Sequence, residues 1–379
     1  MELKVLATSD LHLGMRFAGY PAMQAALTAA RFETLARLVE LANHEECGLF
    51  VIAGDLFHRL TVTQREIRTA AQTLAGFQGA VAAVLPGNHD FLAGPTSPLW
   101  KGFRESLEAA KADRVLLLDS PRRFALESYG LPVRLYAAPC PSKHGQENLV
   151  GWIAGHSEEQ DGTERNVFKL GIAHGSIEGL SPDAQGEYFP MKRWELERTG
   201  LDLWIIGHTH RQHPETEAGD ERILVPGTPE PDGFDCAHGG TAWLLEISGD
   251  KEVHRRSLAT GHFRFRREEL LVDEHSDPEL LVKRYSGAEY TDSLLRLHLS
   301  GRASRERLQA VLQSLSGLAE RLPWVEIDES GLSESISEAT ISGEFAQGSF
   351  AQRLLTRLLE TGDQEALQEA YDLLQESRR

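Results

Sequence analysis

Cysteine is scarce in this chain. The 379 residues include three cysteines, Cys47, Cys140 and Cys236. They are far apart and form no Cys-x-x-Cys pair, which argues against both a disulfide framework and a thiolate zinc site. We therefore expect three free thiols that are at least partly buried.

Extended apolar segments are also missing. No apolar run approaches the roughly 20 residues that a membrane-spanning helix needs. The first residues, "MELKVLATSD", have an acidic second position and only a short apolar stretch, which predicts a first β-strand rather than a signal peptide. We therefore expect a cytoplasmic protein with no membrane attachment.

Basic residues are outnumbered. Lys and Arg total 39 against 57 Asp and Glu, giving a formal net charge of -18. Such a charge repels phosphates on average, so it argues against a protein that coats itself with nucleic acid. A local basic face, or a partner that supplies one, remains compatible with this composition.

Apolar strands alternate with amphipathic helices over the first two thirds of the chain. Examples of predicted strands are "KVLATSD", "GLFVIAGD" and "AVAAVLPGNHD", and "AALTAARFETLARLVELANHEE" has helical apolar spacing. Residues 1–260 are therefore predicted to form a layered α/β domain.

The pattern of the sequence changes after residue 260. Residues 261–342 read as a small α/β attachment with few candidate catalytic groups. Residues 343–379 contain two amphipathic helices separated at "TGD". These helices are compatible with a hairpin packed on its own domain and equally with a docking element for another protein.

Five predicted strands end in metal-binding residue types. In open α/β sheets, ligands bind at the carboxyl ends of strands, so these side chains are expected to meet at one edge. A single residue separates Asp10 from His12 and His208 from His210, which puts each pair on one side of an extended segment. The complete set is Asp10 and His12, Asp55 and His58, Asn88, His89 and Asp90, His174, and His208 and His210.

The donor types indicate a two-metal centre. Carboxylates, imidazoles and one amide, without a thiolate, suit Mn, Fe or Zn better than Ca or Mg. Two divalent ions about 3.5–4 Å apart are a known device for in-line displacement at phosphorus. Asp55 is the natural bridging ligand, and Asn88 adds a donor without adding charge. Glycine precedes Asp55, Asn88 and His208 and is expected to allow sharp turns there.

These motifs resemble those of the calcineurin-like metallophosphoesterase family. Within it, "TSDLHLG", "GDLFH", "GNHD" and "VPGTPEPDGF" are most similar to the SbcD-type nucleases of DNA double-strand-break repair. The resemblance implies a four-layer αββα sandwich with a C-terminal capping domain and two bound divalent ions, Mn²⁺ before Fe or Zn.

The resemblance also implies a role for each residue. One metal would take Asp10, His12, Asp55 and His210, and the other would take Asp55, Asn88, His174 and His208. His89 would face the scissile phosphate as a general acid or hydrogen-bond donor. Asp90 would orient His89, and His58 would be a further phosphate-facing group.

Three functions are compatible with these residues. The first is a two-metal DNA exo- or endonuclease, associated with the nucleoid, that acts as a homodimer with an SbcC-type coiled-coil ABC ATPase, for which residues 343–379 would be the dock. The second is a phosphatase or phosphodiesterase of nucleotides or other small phosphoesters, which suits the acidic charge better. The third is a scaffold without activity, which the complete ligand set argues against.

Overall fold

The computed structural model describes residues 2–94, 97–153, 167–183 and 185–377. The chain divides into two compact units, Met1–Phe265 and Arg266–Arg379. No helix within these described ranges has the length and apolar character needed to cross a membrane. All three cysteines are free and buried, as expected.

The first unit contains two sheets and four α-helices in the described residues. Its strands are β1 (Leu3–Thr8), β2 (Leu49–Ala53), β3 (Val81–Leu85), β4 (Val115–Leu117), β5 (Arg123–Ala125), β6 (Val133–Ala138), β7 (Phe168–His174), β8 (Leu203–Gly207), β9 (Ile223–Leu224), β10 (Thr241–Ile247) and β11 (Val253–Ala259). Its helices are α1 (Gln24–His44), α2 (Gln64–Ala75), α3 (Pro98–Ala110) and α4 (Arg193–Glu197), with a 3₁₀ turn at Glu127–Tyr129.

One sheet has the order β11-β10-β1-β2-β3-β4, and the other has the order β5-β6-β7-β8-β9. In the first, β1 to β4 are parallel and β10 runs antiparallel to β1. In the second, β6 to β9 are parallel and β5 is antiparallel. Because the parallel strands of each sheet point the same way, their carboxyl ends form one edge per sheet.

Strand alternation separates two hydrophobic layers. On β2, Phe50 and Ile52 pack against apolar side chains of α1, α2 and α3. The alternate residues Leu49 and Val51 pack against β6, β7 and β8 of the other sheet. Successive side chains of a strand point to opposite faces, so each fully buried strand supports both layers.

The outer face of the second sheet is covered mainly by loops. Trp204 and Ile206 of β8 pack there against Leu196 of α4 and the loop residues Ile177 and Met191. In the described ranges the fourth layer of the expected αββα sandwich thus holds one helix of five residues, α4, and connecting segments.

The second unit has a three-stranded sheet and five α-helices in its described residues. Its strands are β12 (Arg264–Val272), β13 (Ser293–Ala303) and β14 (Trp324–Glu334), in that order in the sheet. Its helices are α5 (Pro278–Arg284), α6 (Arg305–Ser316), α7 (Glu338–Glu344), α8 (Phe350–Thr361) and α9 (Gln364–Glu376), with 3₁₀ turns at Ala288–Tyr290 and Gly317–Glu320.

The second unit contains two apolar clusters. One is formed by β12, β13 and α6, and includes Leu297 and Val311. The other joins Ile336 and Ile341 to Leu355 of α8 and Leu367 of α9. The helical cluster therefore begins upstream of position 343, where the sequence suggests that the terminal segment starts.

The fold class is mixed α/β, as the sequence predicts. The strand β14 was not among the predicted elements, since "WVEIDESGLSE" is acidic and contains no fully buried residue. Its pairing with β13 is a parallel ladder that no local pattern in the sequence indicates.

Candidate metal centre

The predicted ligands lie at or just after the ends of five strands and are close together. Asp10 follows β1, Asp55 follows β2 and Asn88 follows β3, while His174 ends β7 and His208 follows β8. The Asp10, Asp55, Asn88 and His174 side chains are buried among the apolar ends of the strands. The sequence predicts that these side chains meet at the edge of one sheet, whereas they meet where the carboxyl edges of the two sheets come together.

The backbone around these residues has unusual dihedral angles. Asp10, His12, Asp55 and His208 all have positive φ, at 55°, 47°, 53° and 98°. Non-glycine residues rarely adopt this region, and such strain concentrates at functional sites. Backbone bonds hold part of this arrangement, since the N–H groups of Asp10 and His12 donate to the Gly54 and Asp55 carbonyl oxygens at 3.1 and 2.9 Å.

All three glycines before the ligands lie where a side chain would not fit. Gly54 also has a φ of +93°, as expected of a residue in a sharp turn, and a Cβ on it would collide with the His174 ring. At Gly87 and Gly207 the need is for space alone. A Cβ on Gly87 would lie 2.2 Å from the Asp55 Oδ1 atom, and one on Gly207 would lie 2.0 Å from the Ala53 carbonyl oxygen.

Asp55 lies at the middle of the donor set. Its Oδ1 accepts the His89 backbone N–H at 2.8 Å. Its Oδ2 lies 3.3 Å from His174 Nε2 and 3.7 Å from His12 Nε2. One oxygen is thus held by the backbone while the other faces imidazoles from both sheets.

The donors fall into groups that could each hold a metal ion. Asp10, Asp55 and His174 form one group, and Asp10, His12 and His210 form another. Asn88 Oδ1 adjoins the first group, 3.0 Å from His174 Nε2. The His208 ring lies near His174, with centroids 5.5 Å apart, and the His208 backbone N–H donates to the Asp10 carboxylate at 3.1 Å.

The geometry fits bound cations because imidazole nitrogens and carboxylate and amide oxygens converge at hydrogen-bond distances. His174 donates its Nδ1 proton to the Ala53 carbonyl oxygen at 2.9 Å, which turns Nε2 towards the Asn88 and Asp55 oxygens. The His12 and His210 Nε2 atoms likewise face each other at 3.2 Å. A bound cation can take the place of a proton shared at each of these contacts, and oxygen and nitrogen ligands without sulfur suit Mn, Fe or Zn.

The ionisation of these groups follows from burial and from each other's charges. Burial lowers the pKa of His174, but Asp55 beside it raises that pKa to about 9. Burial alone would raise the pKa of Asp55, yet His174 and His12 hold it below its ordinary value. Burial lowers the pKa of His12 and brings that of His208 to about 3. His12 and His208 are therefore neutral near pH 7, the form that binds metal.

His89 and His58 lie beside the donors and are partly exposed. Their rings are 5.2 Å apart at an interplanar angle of 27°, and His89 Nδ1 lies 3.0 Å from the His58 carbonyl oxygen. The His58 and His12 Nδ1 atoms are 3.5 Å apart. Both rings are therefore next to the centre and partly accessible to solvent.

The part expected of Asp90 needs a correction. Its carboxylate accepts the backbone N–H groups of Gly87 at 2.7 Å and Phe57 at 2.9 Å, and among the described residues it makes no bond to the His89 ring. The His58 carbonyl oxygen orients that ring instead. Asp90 holds the turn that carries Asn88 and His89, because a buried carboxylate needs donors and the turn's N–H groups supply them.

Three neighbours of the centre were not predicted. Asp232 Oδ2 lies 2.8 Å from His210 Nδ1, and the Tyr188 ring lies 4.8 Å from that of His208. Arg31 is fully buried on α1 and donates to the Leu11 carbonyl oxygen at 2.8 Å. Only Asp232 lies in a stretch that the sequence analysis quotes as a family motif, "VPGTPEPDGF", and no spacing rule connects it to His210.

Comparisons with known proteins agree with this centre. The model of the calcineurin-like phosphoesterase family matches residues 3–212. The chain therefore belongs to the calcineurin-like phosphoesterases, a family of metal-dependent phosphoesterases, and it is not assigned more narrowly by the match.

Two curated relatives and one solved structure illustrate the similarity. The uncharacterized metallophosphoesterase YhaO of Bacillus subtilis is 24% identical over 237 residues, covering 60% of this chain and 53% of the relative. The DNA double-strand break repair protein Mre11 of Methanopyrus kandleri is 24% identical over 266 residues, covering 67% and 52%. This chain thus spans about half the length of these relatives. TT1561 of Thermus thermophilus has a TM-score of 0.40 at 14% identity, covering 68% of this chain and 99% of that one.

Proposed function

We propose that this protein is a two-metal DNA phosphodiesterase, an exo- or endonuclease of DNA repair. The observation that carries the proposal is the convergence of all seven predicted ligands where the carboxyl edges of the two sheets come together, with His89 and His58 beside them. The similarity to Mre11 supports DNA as the substrate. The half-buried Tyr188 ring next to His208 also supports it, because nucleobases stack on aromatic side chains.

The residues of the chain have distinct parts in this reaction. Two divalent ions bound by the ligands, Mn²⁺ foremost, would activate a water molecule and polarise the phosphoryl oxygens. His89 Nδ1 pairs with the His58 carbonyl oxygen, which leaves Nε2 as the atom that can reach a substrate. A protonated His89 would donate from Nε2 to the leaving 3′-oxygen. The His58 ring packs against His89 and limits its rotation.

The partners belong to the same proposal. An SbcC-type coiled-coil ABC ATPase would make the contacts with DNA phosphates that a net charge of -18 disfavours. The protein would act as a homodimer. The helices α8 and α9 would dock the ATPase, and both expose large apolar side chains, Phe350 and Leu373. Since Ile336 and Ile341 belong to the same cluster, a deletion that tests docking should begin at Ser335.

Cleavage of end-labelled duplex DNA with Mn²⁺ tests the function. We expect cleavage by the wild type, and loss of at least about a hundredfold in Asp55→Asn and His89→Ala. His254→Ala, which alters an exposed histidine of β11, is the matched control and should leave the rate unchanged. A small phosphodiester and a small phosphomonoester are assayed in parallel.

The alternative is a phosphoesterase of nucleotides or other small molecules. The same donors serve that reaction, and the acidic charge favours it. Rapid turnover of a small ester without DNA cleavage, even after addition of an SbcC-type ATPase, would establish the alternative and reject the nuclease.

A further inference from the structure

Asp232 contacts the side of His210 that faces away from the metal centre. Its Oδ2 lies 2.8 Å from His210 Nδ1, and its side chain is only 19% exposed. The opposite nitrogen of the same ring, Nε2, lies 3.2 Å from His12 Nε2 and 3.7 Å from Asp10 Oδ1. The His210 ring therefore connects a carboxylate on one side with the metal-binding group on the other.

The loop that carries Asp232 is fixed at several points. The Thr228 N–H donates to the His210 carbonyl oxygen at 3.0 Å, and the Thr228 hydroxyl lies 2.9 Å from the Asp10 carbonyl oxygen. Further along, the Glu230 carboxylate accepts the backbone N–H groups of His262 and Phe263 at 2.7 and 2.9 Å. Asp232 is thus carried by a loop tied to the backbone of two ligands.

A second side chain holds the His210 backbone. His238 Nε2 lies 2.6 Å from the His210 carbonyl oxygen and 3.1 Å from Cys236 Sγ. His238 is only partly buried and follows Asp232 on the same loop. The loop therefore restrains both the main chain and the ring of His210.

We infer that Asp232 is a positioning residue of the metal centre, which fixes the His210 ring so that Nε2 is its ligand atom. An aspartate that accepts the Nδ1 proton excludes the tautomer in which Nε2 carries the proton and cannot bind metal. It also strengthens Nε2 as a donor. This inference rests on the ligand role given to His210 in the proposed function.

An ordinary surface ion pair between the two residues would have a different consequence. Such a pair contributes little to stability and nothing to a metal site. A positioning residue instead changes the affinity of one site, the group of Asp10, His12 and His210. The group that contains His174 has no contact with Asp232 among the described residues, so its affinity is the internal reference.

Calorimetric titration of the metal-free, full-length protein with Mn²⁺ tests the inference. We expect two binding events in the wild type. In Asp232→Ala, one affinity should fall by about 10- to 100-fold while the other stays the same. Asp232→Asn should lose less, since its amide oxygen can still accept the Nδ1 proton. Asp235→Ala, an exposed aspartate of the same loop, is the control.

A second measurement separates positioning from folding. In ¹⁵N-histidine-labelled, metal-free protein held above pH 9, where the ring is neutral, the His210 ring should be fixed in the Nδ1-protonated tautomer in the wild type and in Asp235→Ala, and should lose that preference in Asp232→Ala. Wild-type Mn²⁺ affinities at both sites of Asp232→Ala would overturn the inference. Absence of Mn²⁺ binding by the wild type would overturn the proposed function instead, and the tautomer would still test the Asp232–His210 pair.

Discussion

The precision of the centre depends on individual residues whose backbone is strained. Four of its members have positive φ without being glycine, and each such residue costs about 1–3 kcal/mol that the surrounding structure must offset. Backbone hydrogen bonds between the loops after β1 and β2 compensate for part of this cost. The loops after these two strands therefore act as one rigid unit that aims Asp10, His12 and Asp55.

Gly87 provides a test of that rigidity. A methyl group at this position would lie 2.2 Å from Asp55 Oδ1 and 2.5 Å from its backbone nitrogen. We predict that Gly87→Ala displaces the Asp55 carboxylate and lowers phosphoesterase activity by about a hundredfold, the scale of a roughly 1 Å misplacement. Activity and Mn²⁺ affinity are the measurements.

The control for Gly87→Ala is Gly19→Ala, where an added Cβ meets nothing within 4 Å. It should retain full activity. Wild-type activity in Gly87→Ala would show that the turn can move away from Asp55, and would contradict the rigid arrangement.

At the residue scale, the proximity of side chains that directly follow strands can be predicted from the sequence. Asp10, Asp55, Asn88, His174 and His208 are of this kind, because the parallel strands of each sheet end at the same edge. Asp232 and Tyr188 are different, because they lie on long loops whose paths depend on tertiary bonds. The need for space at Gly87 and Gly207 was also not predictable, since it depends on which atoms of other loops approach them.

Among the elements, α2 shows how local sequence determines a boundary. Thr63 accepts the Glu66 backbone N–H, and the Glu66 carboxylate accepts the Thr63 N–H at 2.7 Å, which together form a capping box. The helix then packs Ile67, Ala70 and Leu74 into the layer beneath the first sheet. A short stretch of sequence thus determines both where α2 begins and which of its faces is buried.

We predict that Thr63→Ala lowers the free energy of unfolding by about 1 kcal/mol because the helix loses its N-cap. Thermal unfolding of the metal-free protein is the measurement, and Mn²⁺ affinity should not change. The exposed Thr61, just before the helix, gives the control Thr61→Ala, which should be neutral. Equal effects of the two substitutions would mean that the capping bonds contribute nothing.

Elements whose apolar residues form a clear run or repeat could be predicted from the sequence, and elements without such a pattern could not. The strands β1, β2 and β3 are fully or nearly fully buried, and their apolar runs mark them clearly. In contrast, β14 has no fully buried position, and the five-residue α4 is too short to show a helical period. These elements form because neighbouring strands and cores provide their partners, which a local pattern cannot encode.

For the molecule as a whole, the centre couples stability to pH. Burial lowers the pKa of His174 and His210, but Asp55 and Asp232 raise each to about 9, above an ordinary value of 6.5. Their stabilisation is complete below about pH 6.5 and is lost as the pH rises through 9. Burial, reinforced by Asp55, raises the pKa of Asp90 from an ordinary value of 3.8 to about 8, so its stabilisation is complete only below about pH 3.8 and is lost as the pH rises through 8.

We therefore predict that the metal-free protein becomes less stable between pH 6.5 and 9.5. Mn²⁺ should reduce this dependence, because the cation takes the place of the shared protons. Unfolding temperatures measured across this range, with chelator and with Mn²⁺, test the prediction. His174→Gln should flatten the profile of the metal-free protein and the control His254→Gln should not. A profile that chelator and metal leave identical would contradict the coupling.

In the proposed function, the charge of the whole chain limits how it could bind DNA. With 39 basic and 57 acidic residues, few phosphates can be neutralised by the chain alone, and each neutralised phosphate contributes about -0.9 to the slope of log K against log salt concentration. We predict that Asp55→Asn, used to prevent cleavage, binds labelled duplex with a slope shallower than about -3. Addition of an SbcC-type ATPase should make the slope steeper. Fluorescence anisotropy between low and moderate salt concentrations measures the slope with and without the ATPase.

A slope of about -6 or steeper for the chain alone would contradict this prediction. It would mean that six or more phosphates contact a concentrated basic face, and that the ATPase is not needed for binding to DNA.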